Sequence, residues 1–436
     1  MLLAIYNFLL NIAFFFLQGK LKKKYTLGYD ERCGRIGKGK LAQIRGKCFW
    51  INAVSVGEAQ AAVSFMKALR NEGITCPFLL STTTDTGRKM AFDLAGGNDL
   101  FFHIYAVWDK KEFVAEALDR IDPIAFATVE TEIWPNILAQ CRKRNIPTFL
   151  INGRISDRTW SKVSLPVVSH IAGLAFRLFD VITCRDEQDK SRLVALSVPA
   201  DKIFVTGDSK LDELLRRKEQ RQESIFEVRE KISSYFAIKP KKLIIAGSTH
   251  SPEEKIVFEL FARLKNSFGT NVKFLSVPRH PESVAEVMEI AKGYSLTARR
   301  LSDLENKVSA PNDLDIIVVD KIGVLFDLYG ASDIAFVGGS FVDKGGQNIL
   351  EPLVWAVPTC YGSHMEDFAE PASYFEANEL SHRVSNAEEL EKCFVSLLQD
   401  GKSEQAKAVA EKYFAEQSGT STKLARIIKP ILEVKR

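Results

Sequence analysis

Residues 48–73, CFWINAVSVGEAQAAVSFMKALRNEG, carry the pattern that decides the fold class. The stretch opens with a short, mostly apolar run and then passes through a small polar turn. Beyond the turn, Ala62, Phe65 and Leu69 recur at helical spacing, and Gly73 ends the pattern. A buried strand followed directly by an amphipathic helix is the repeating unit of parallel sheets covered on both faces.

The same strand–helix alternation recurs in two groups, separated by a charged, helix-like stretch at residues 211–232. Two such groups predict an α/β protein with two Rossmann-like domains facing each other across a cleft. In such sheets, ligands bind at the carboxyl ends of the strands. The further apolar segments are residues 75–84, 123–130, 147–153, 180–184 and 202–207 in the first group, and 241–248, 272–279, 314–320, 333–340 and 357–362 in the second.

The length of the chain, 436 residues, exceeds what one ordinary hydrophobic core supports. We therefore expect several segments with separate roles. They are a membrane anchor at 1–24, an N-terminal Rossmann-like domain at 25–210, a linker helix at 211–240, a C-terminal Rossmann-like domain at 241–410 and a C-terminal helix at 411–436.

The amino terminus predicts attachment to a membrane. An apolar run from Leu2 to Leu17 is interrupted only by Asn7 and Asn11, and four lysines follow between residues 20 and 24. The run is slightly shorter than the roughly 17 to 25 residues of a spanning helix. It predicts either a short spanning helix or one lying in the interface, with a buried soluble helix as the alternative. The lysines favour placing the rest of the chain on the cytoplasmic side of the membrane.

Four strand ends in the second group carry polar residues suited to a nucleoside phosphate. Glycines allow a backbone to approach a phosphate closely, arginine adds a permanent charge, and a glutamate can accept hydrogen bonds from a ribose diol. Each motif alone also fits an ordinary turn or helix start. The predicted donor-binding residues are Thr249, Arg279, His280, Gly339, Ser340, Gly346, Asn348 and Glu351.

The strand ends of the first group carry acids. Glu58 follows the first strand, where a helix amino end would keep it ionised and lower its pKa. Glu130 and Glu132 follow another strand, and a role confined to helix capping is the alternative for all three. Hydroxyls, a glycine and an arginine nearby suit sugar or phosphate oxygens. The predicted acceptor-binding residues are Ser55, Gly57, Thr82, Thr83 and Arg154.

Several function classes are poorly supported. The net charge is only +4 and no basic face is interleaved with aromatic residues, which argues against nucleic acid. The six histidines form no metal-ligand pair, and the D-x-D at Asp313 and Asp315 precedes a strand instead of ending one. No dinucleotide fingerprint, P-loop or nucleophile elbow occurs. We expect neither a metal nor another cofactor.

With these residues in hand, the chain resembles the 3-deoxy-D-manno-octulosonic acid (Kdo) transferases of lipopolysaccharide assembly, which have the two-Rossmann GT-B fold. The order and spacing of the motifs carry the resemblance over nearly the whole length. These motifs are AVSVGE, STTTDTG, VETEIWPN, INGRISDR, VTGDSKLD, GSTHSPEE, VPRHPE, FVGGSF and GGQNILEP.

The resemblance implies inverting transfer of Kdo from CMP-Kdo to a lipid A precursor at the inner membrane. It implies Glu58 as the catalytic base and assigns Glu130 and Glu132 to the acidic motif. On the nucleotide side it implies Arg279, Ser340, Asn348 and Glu351. The chain departs from the common family pattern at Gln347, Asp208 and Gly153, and the change at Gln347 bears on phosphate contact.

Two other functions fit parts of the pattern. One is another GT-B sugar-nucleotide enzyme, such as an epimerase, for which a membrane anchor has no purpose. The other is a non-catalytic, membrane-tethered protein that binds a nucleotide sugar, which leaves Glu58 without a role. The number of Kdo units transferred does not follow from the residues.

Overall fold

The computed structural model describes residues 2–97, 99–399 and 403–434. The chain divides into two compact units. The first unit comprises residues 1–213 together with 417–436, and the second comprises residues 214–416.

The first unit is built on a parallel sheet of seven strands in the order β3-β2-β1-β4-β5-β6-β7. Its central strands are buried on both faces, so successive residues enter opposite cores. Phe49 and Ile51 pack on one side, and Trp50 packs on the other. The strands are β1 (Phe49–Ala53), β2 (Phe78–Thr82), β3 (Phe101–Tyr105), β4 (Ala125–Val129), β5 (Thr148–Gly153), β6 (Val181–Cys184) and β7 (Ile203–Val205).

Helices connect these strands and cover both faces of the sheet. They are α1 (Leu2–Lys24), α2 (Tyr29–Arg32), α3 (Lys38–Leu41), α4 (Val56–Asn71), α5 (Asp85–Ala95), α6 (Lys111–Ile121), α7 (Pro135–Lys143), α8 (Asp157–Val163), α9 (Pro166–Phe176), α10 (Glu187–Ala195) and the start of α11 (Ser209–Arg221).

The second unit has its own parallel seven-stranded sheet, in the order β10-β11-β9-β8-β12-β13-β14. Its strands are β8 (Lys242–Thr249), β9 (Val272–Pro278), β10 (Ala298–Arg300), β11 (Ile316–Val318), β12 (Ile334–Val337), β13 (Thr359–Tyr361) and β14 (Ser381–Arg383). Its helices, after the end of α11, are α12 (Ile225–Ser233), α13 (Glu253–Phe268), α14 (Val284–Gly293), α15 (Leu301–Glu305), α16 (Leu325–Gly330), α17 (Leu350–Leu353), α18 (Ala369–Ala377), α19 (Ala387–Gln399) and α20 (Ser403–Gln417).

The observed division of the chain differs from the expected domain limits. The boundary falls inside α11, after Glu213, so residues 211–240 do not form a separate linker helix. The last helix, α21 (Thr420–Val434), belongs to the first unit because Leu424, Ile428 and Leu432 share a hydrophobic core with α4. A carboxylate at Asp212 accepts hydrogen bonds from the backbone N–H groups where α21 begins.

The amino-terminal helix α1 is the one helix among the described residues that is long and apolar enough to cross a membrane, judged by length and composition. The qualifying segment is Leu3–Lys24, with a mean hydropathy of 1.3. The helix extends beyond the apolar run, because the lysine-containing segment remains helical through Lys24.

Candidate active site

Glu58 lies at the carboxyl end of β1, in the first turn of α4. Ser55 caps this helix, and its hydroxyl oxygen accepts the Glu58 N–H at 3.2 Å. The Glu58 carboxylate turns back, and Oε2 accepts the Val54 N–H at 2.7 Å. This resembles a capping box, except that the glutamate accepts the N–H of the residue before the cap instead of that of Ser55. One carboxylate oxygen is thus fixed by the backbone, which holds the side chain in a single orientation.

The pKa of Glu58 is raised, contrary to the sequence-based expectation. Burial raises it most, since only 5% of the residue is exposed. The Val54 and Ser55 hydrogen bonds and Lys210 lower this pKa, whereas the neighbouring Glu130 raises it. The expected lowering by the helix amino end was wrong because loss of hydration outweighs it. The result is a stronger base than an exposed glutamate.

Glu130 comes directly after β4 with a backbone φ of 58°. The left-handed region is unfavourable for a residue with a Cβ, and such residues cluster at functional sites. The conformation is held by a 2.8 Å hydrogen bond from the Glu130 N–H to the Ile151 carbonyl. The Glu130 carboxylate forms an ion pair with Lys210 of α11.

Lys210 is a residue that the sequence analysis did not assign to the site. A Cβ at Gly57 would lie 3.2 Å from the Lys210 ammonium nitrogen, so glycine leaves room for this cation. The available signal was its place in the polar turn after β7, in the segment VTGDSKLD. Lys210 supplies the positive charge beside a group of acids.

Glu132 completes an acidic cluster, which we define as Glu58, Glu130 and Glu132 together with Lys210. Burial raises the pKa of Glu132 to about 7, and the charges of Glu58 and Glu130 contribute in the same direction. Burial and the neighbouring acids thus favour the protonated forms of Glu58 and Glu132. The cluster can therefore accept and hold a proton near neutral pH.

Asn152 and Asp208 hold the start of α11 in place. The Asn152 side chain donates to Asp208 Oδ1 at 3.1 Å and accepts the Ser209 N–H at 3.1 Å. Asp208 Oδ1 also accepts the Lys210 N–H at 3.0 Å. These contacts set the position of Lys210 relative to the strand ends.

The predicted acceptor-binding residues fall into two groups. Ser55 is exposed, Thr83 and Arg154 are half-buried, and Gly57 borders Lys210, so these four lie at the surface of the strand-end region. Thr82 does not: it is fully buried, and its hydroxyl is 2.9 Å from His103 Nε2. The prediction for Thr82 was wrong because the side chain faces the core side of β2.

In the second unit, the Glu253 carboxylate binds the backbone N–H groups of the glycine-rich turn that was predicted to bind a phosphate. Its carboxylate accepts the N–H groups of Gly339, Ser340 and Phe341 at 2.7, 2.9 and 2.9 Å, and that of His250 at 2.9 Å. Glu253 is fully buried. A carboxylate therefore takes the place of an external anion at this turn.

Ser340 is likewise internal. It is fully buried, its hydroxyl donates to the Val337 carbonyl at 2.6 Å and accepts the Gly362 N–H at 2.9 Å. The prediction that Gly339 and Ser340 contact a donor phosphate through these groups was wrong, because the groups are already paired. The two residues support the neighbouring loop instead.

That neighbouring loop contains Gly345 and Gly346, both with positive φ, at 74° and 79°. The Gly346 N–H donates to the Gly339 carbonyl at 3.0 Å, and a Cβ at Gly346 would clash with the Met365 sulfur at 2.5 Å. Gly346 is thus required for the shape of the loop. Its own N–H is not available to a ligand.

Asn348 and Glu351 follow on this loop. Asn348 Oδ1 accepts the Leu350 N–H at 3.1 Å, and its amide lies 3.5 Å from Glu351 Oε1. The helix that follows, α17, is a single turn of four residues, shorter than the apolar helix that the sequence suggests. Burial raises the pKa of Glu351, and Arg217 and Arg279 act against that rise.

Cations gather next to the loop. Arg279 is exposed, and in the described part of the chain no hydrogen bond or ion pair holds its guanidinium. His280 is also exposed, and its ring lies 5.6 Å from that of His250. Burial lowers the pKa of His250, and His280, Arg279 and Lys344 contribute to the same lowering. Lys344 was missed because nothing in its spacing distinguishes it from a surface lysine.

Thr249 is only 2% exposed, and its carbonyl accepts the Arg279 N–H at 2.9 Å. It therefore holds the Arg279 backbone in place. We define the cationic cluster as Arg279 and Lys344, together with the polar side chains of His250 and Gln347. The Gln347 amide lies 3.5 Å from His250 Nε2. Such a set suits an anionic group such as a phosphate.

Metal ligation finds no support in the part of the chain that the structure describes, where no group of three or more His, Cys, Asp or Glu residues could hold an ion. The D-x-D pattern has a structural explanation. Asp315 is buried and pairs with Lys265 at 2.6 Å, while also accepting the Thr297 N–H.

Residues 28–213 match a family model described as 3-deoxy-D-manno-octulosonic-acid transferase (kdotransferase). The chain is 29% identical over 435 residues to a 3-deoxy-D-manno-octulosonic acid transferase of Haemophilus influenzae, covering 97% of this chain and 96% of that protein. It is 30% identical over 399 residues to a bifunctional glycosyltransferase/methyltransferase of Fusobacterium nucleatum, covering 90% of this chain but only 58% of that protein's length.

Among solved structures, UDP-GlcNAc 2-epimerase from Neisseria meningitidis matches with a TM-score of 0.61. The match covers 89% of this chain and 100% of that chain at 13% sequence identity. A likeness at this identity concerns the fold alone. It agrees with the α/β architecture of the two parallel sheets.

Proposed function

We propose that this member of the Kdo transferase family transfers Kdo from CMP-Kdo to a lipid A precursor. The single observation that carries the proposal is the acidic cluster at the carboxyl ends of β1 and β4, found in a chain whose relatives are named as Kdo transferases. It contains a buried glutamate whose pKa is raised and whose orientation is fixed by the backbone.

Glu58 acts as the general base. Its carboxylate takes the proton from a hydroxyl of the acceptor sugar, and the oxygen of that hydroxyl forms a bond to the anomeric carbon of Kdo. The bond from that carbon to the CMP phosphate oxygen breaks on the opposite side, and CMP leaves with the bonding electrons. One displacement of this kind inverts the anomeric configuration.

Glu130 and Lys210 set the charge around the base, and Glu132 provides a second site that can hold a proton. Proton transfer by a positioned carboxylate contributes typically about 10²- to 10⁴-fold to a rate. A base whose pKa lies closer to the working pH is more effective than an ordinary glutamate.

The cationic cluster of the second unit binds the donor. Arg279 and Lys344 meet the phosphate of CMP-Kdo, and Glu351 accepts hydrogen bonds from the ribose hydroxyls. Arg217 and Arg279 counter the rise in the Glu351 pKa, which favours the ionised form that such acceptance uses. Charge stabilisation by fixed cations supports the departure of CMP.

The catalytic units lie on the cytoplasmic side of the inner membrane. Support comes from the apolar side chains that α1 exposes, including Phe8, Phe15 and Phe16, and from the lysines in its last turn. An exposed apolar face of this kind is unfavourable in water and favourable in lipid. The acceptor, being a lipid, is held in the same membrane.

The experiment incubates the detergent-solubilised protein with a tetraacyl lipid A precursor and freshly generated CMP-Kdo, and follows the lipid by mass spectrometry. We expect additions of Kdo, and their number distinguishes one, two or more transfers. Binding of CMP without any addition would contradict the proposal and favour a tethered binding protein. Conversion of UDP-GlcNAc in a parallel reaction would favour an epimerase.

A further inference from the structure

The amino-terminal helix α1 is docked along the first unit. The Tyr6 hydroxyl donates to Asp109 Oδ2 at 2.9 Å, near the start of the helix. Phe14 packs edge-on against Trp108 and Phe113, with ring centroids 5.7 and 5.2 Å apart. Tyr25, just after the helix, reaches the same Trp108 at 6.0 Å. The helix therefore contacts residues 108–113, which comprise the segment before α6 and its first turn.

The opposite side of α1 carries the apolar residues that face away from the protein. Phe8, Phe15 and Phe16 are 65, 70 and 73% exposed. Ile5, Leu9 and Ile12 lie on this outward-facing side as well. A helix with one side paired to a globular unit and the other side apolar is suited to lie in the plane of a membrane surface.

Lysine side chains lie near both ends of α1, and their positions agree with that orientation. Lys111 and Lys143 line the cavity that Leu3 and Asn7 border at the amino end of the helix. The lysines of its last turn lie at the other end. All belong to the first unit, and placing lysine charges in the hydrocarbon core is costly. Both ends therefore stay on one side, and the helix does not span while it is docked.

Hydrogen bonds connect the docked side of α1 to the start of α7, which follows two residues of the acidic cluster in the chain. Asp109 is 5% exposed, and its carboxylate accepts the N–H groups of Asn136 and Ile137 at 3.0 and 2.9 Å, in addition to the Tyr6 hydroxyl. The Asn136 amide donates to the Asp109 carbonyl at 2.6 Å and to Asn7 Oδ1 at 2.7 Å. Two residues of α1 are thus joined to the first turn of α7.

The first turn of α7 directly follows the acidic loop, which we define as residues 130–134. Glu130 and Glu132 precede Pro135, where α7 begins, by only a few residues. A carboxylate that caps the free N–H groups of a helix start fixes both the position and the direction of that helix. Movement of Asp109 would therefore move the loop that carries two of the three acids.

We propose that α1 is a positioning element of the active site, which holds the acidic loop in register through the contacts of Tyr6 and Asn7 with Asp109 and Asn136. The expected effect on transfer rests on the proposed function, whereas the expected effect on the position of the acidic loop does not. Attachment to the membrane and alignment of Glu130 and Glu132 are then coupled. A chain lacking α1 would bind CMP but transfer Kdo poorly even to a soluble acceptor.

The test uses the full chain with the double substitution Tyr6→Phe and Asn7→Ala, which removes the polar contacts while leaving the exposed apolar side unchanged. Tyr25→Phe with Asn11→Ala is the matched control. Tyr25 keeps its ring contact with Trp108, and Asn11 is exposed one turn after Asn7. Transfer is measured in detergent, and binding is measured by co-sedimentation with phosphatidylglycerol-containing vesicles.

We expect vesicle binding and CMP affinity of the double variant to stay within about twofold, while kcat falls about 5- to 20-fold through loss of two partly buried hydrogen bonds. The KM for the acceptor changes less than kcat, and the acid limb of the pH profile moves. The control keeps wild-type values. An unchanged kcat in the double variant, or an equal loss in the control, would overturn the proposal.

A second readout separates this inference from the proposed function. Hydrogen–deuterium exchange at residues 128–137 should quicken in the double variant and not in the control, whether or not the protein transfers Kdo. If exchange quickens in the double variant but the wild-type chain transfers no Kdo, positioning stands and the proposed function is refuted. Unaltered exchange at these residues would refute positioning.

Discussion

At the scale of single residues, Glu58 has opposing influences on its pKa. Its motif, with a small residue three positions earlier, predicts a helix cap, and the structure has that cap. The direction of the pKa shift could not be predicted, because it depends on how deeply the side chain is buried and on Glu130 and Lys210, which are distant in sequence.

The two neighbours of Glu58 should shift the acid limb of kcat/KM in opposite directions. Glu130 raises the pKa of Glu58, so Glu130→Gln should move the limb to lower pH. Lys210 lowers this pKa, so Lys210→Met should move the limb to higher pH. The measurement is the pH dependence of transfer between pH 4 and 9.

Lys162→Met serves as the control for these variants, since Lys162 is exposed on α8, away from the acidic cluster. Its acid limb should coincide with that of the wild type. Shifts in the same direction for Glu130→Gln and Lys210→Met would show that the limb does not report Glu58.

At the scale of elements, the strand–helix alternation predicts the inner strands of both sheets, while β3, β10 and β14 were missed. All three are edge strands. An edge strand has a neighbour on one side only, so it tolerates short length and charged side chains, as in Ala298–Arg300 and Ser381–Arg383. The sequences of β10 and β14 therefore lack the continuous apolar pattern of buried strands, whereas β3 is mostly apolar and is interrupted only by His103.

The glycine-rich turns of the second unit could be located from the sequence, but the contacts of their backbone groups could not. The glycine pairs at 338–339 and 345–346 predict a phosphate-binding backbone, and only side-chain placement reveals that Glu253 already occupies the first of them. A buried carboxylate on α13 that serves a distant turn leaves no spacing signal. Among the side chains beside the second pair, Arg279 and His280 were predicted, whereas Lys344 could be placed only from the fold.

Glu253→Gln should therefore destabilise the second unit and weaken CMP binding. The substitution leaves backbone N–H groups facing an amide N–H₂, and we expect a loss of about 3 to 5 kcal/mol in the free energy of unfolding. Glu254→Gln is the matched control, because the adjacent glutamate is buried without accepting these N–H groups. Thermal unfolding and CMP titration measure both effects.

At the scale of the whole molecule, the chain ends by returning to the unit in which it began. The C-terminal helix expected at 411–436 is divided: its first residues end α20 (Ser403–Gln417), and α21 begins at Thr420. The place of α21 in the first unit could not be predicted, because an amphipathic helix does not identify the surface that it covers. Leu424, Ile428 and Leu432 are at most 1% exposed in the core that they share with α4.

Leu424→Ala should lower the free energy of unfolding of the first unit by about 2 to 5 kcal/mol, the usual cost of removing a buried leucine. Val434→Ala, at a residue 85% exposed on the same helix, should have almost no effect. Denaturant titration of both variants makes the comparison. Equal stability of the two would show that α21 does not belong to this core.

The measurement that tests the central claim most directly is the rate of Kdo transfer by Glu58→Gln, with CMP affinity determined on the same preparation. Glutamine preserves the shape of the side chain but cannot accept the proton. The account predicts a fall in rate of about 10²- to 10⁴-fold, with CMP affinity unchanged. A variant that transfers Kdo within about threefold of the wild-type rate would contradict the assignment of Glu58 as the base.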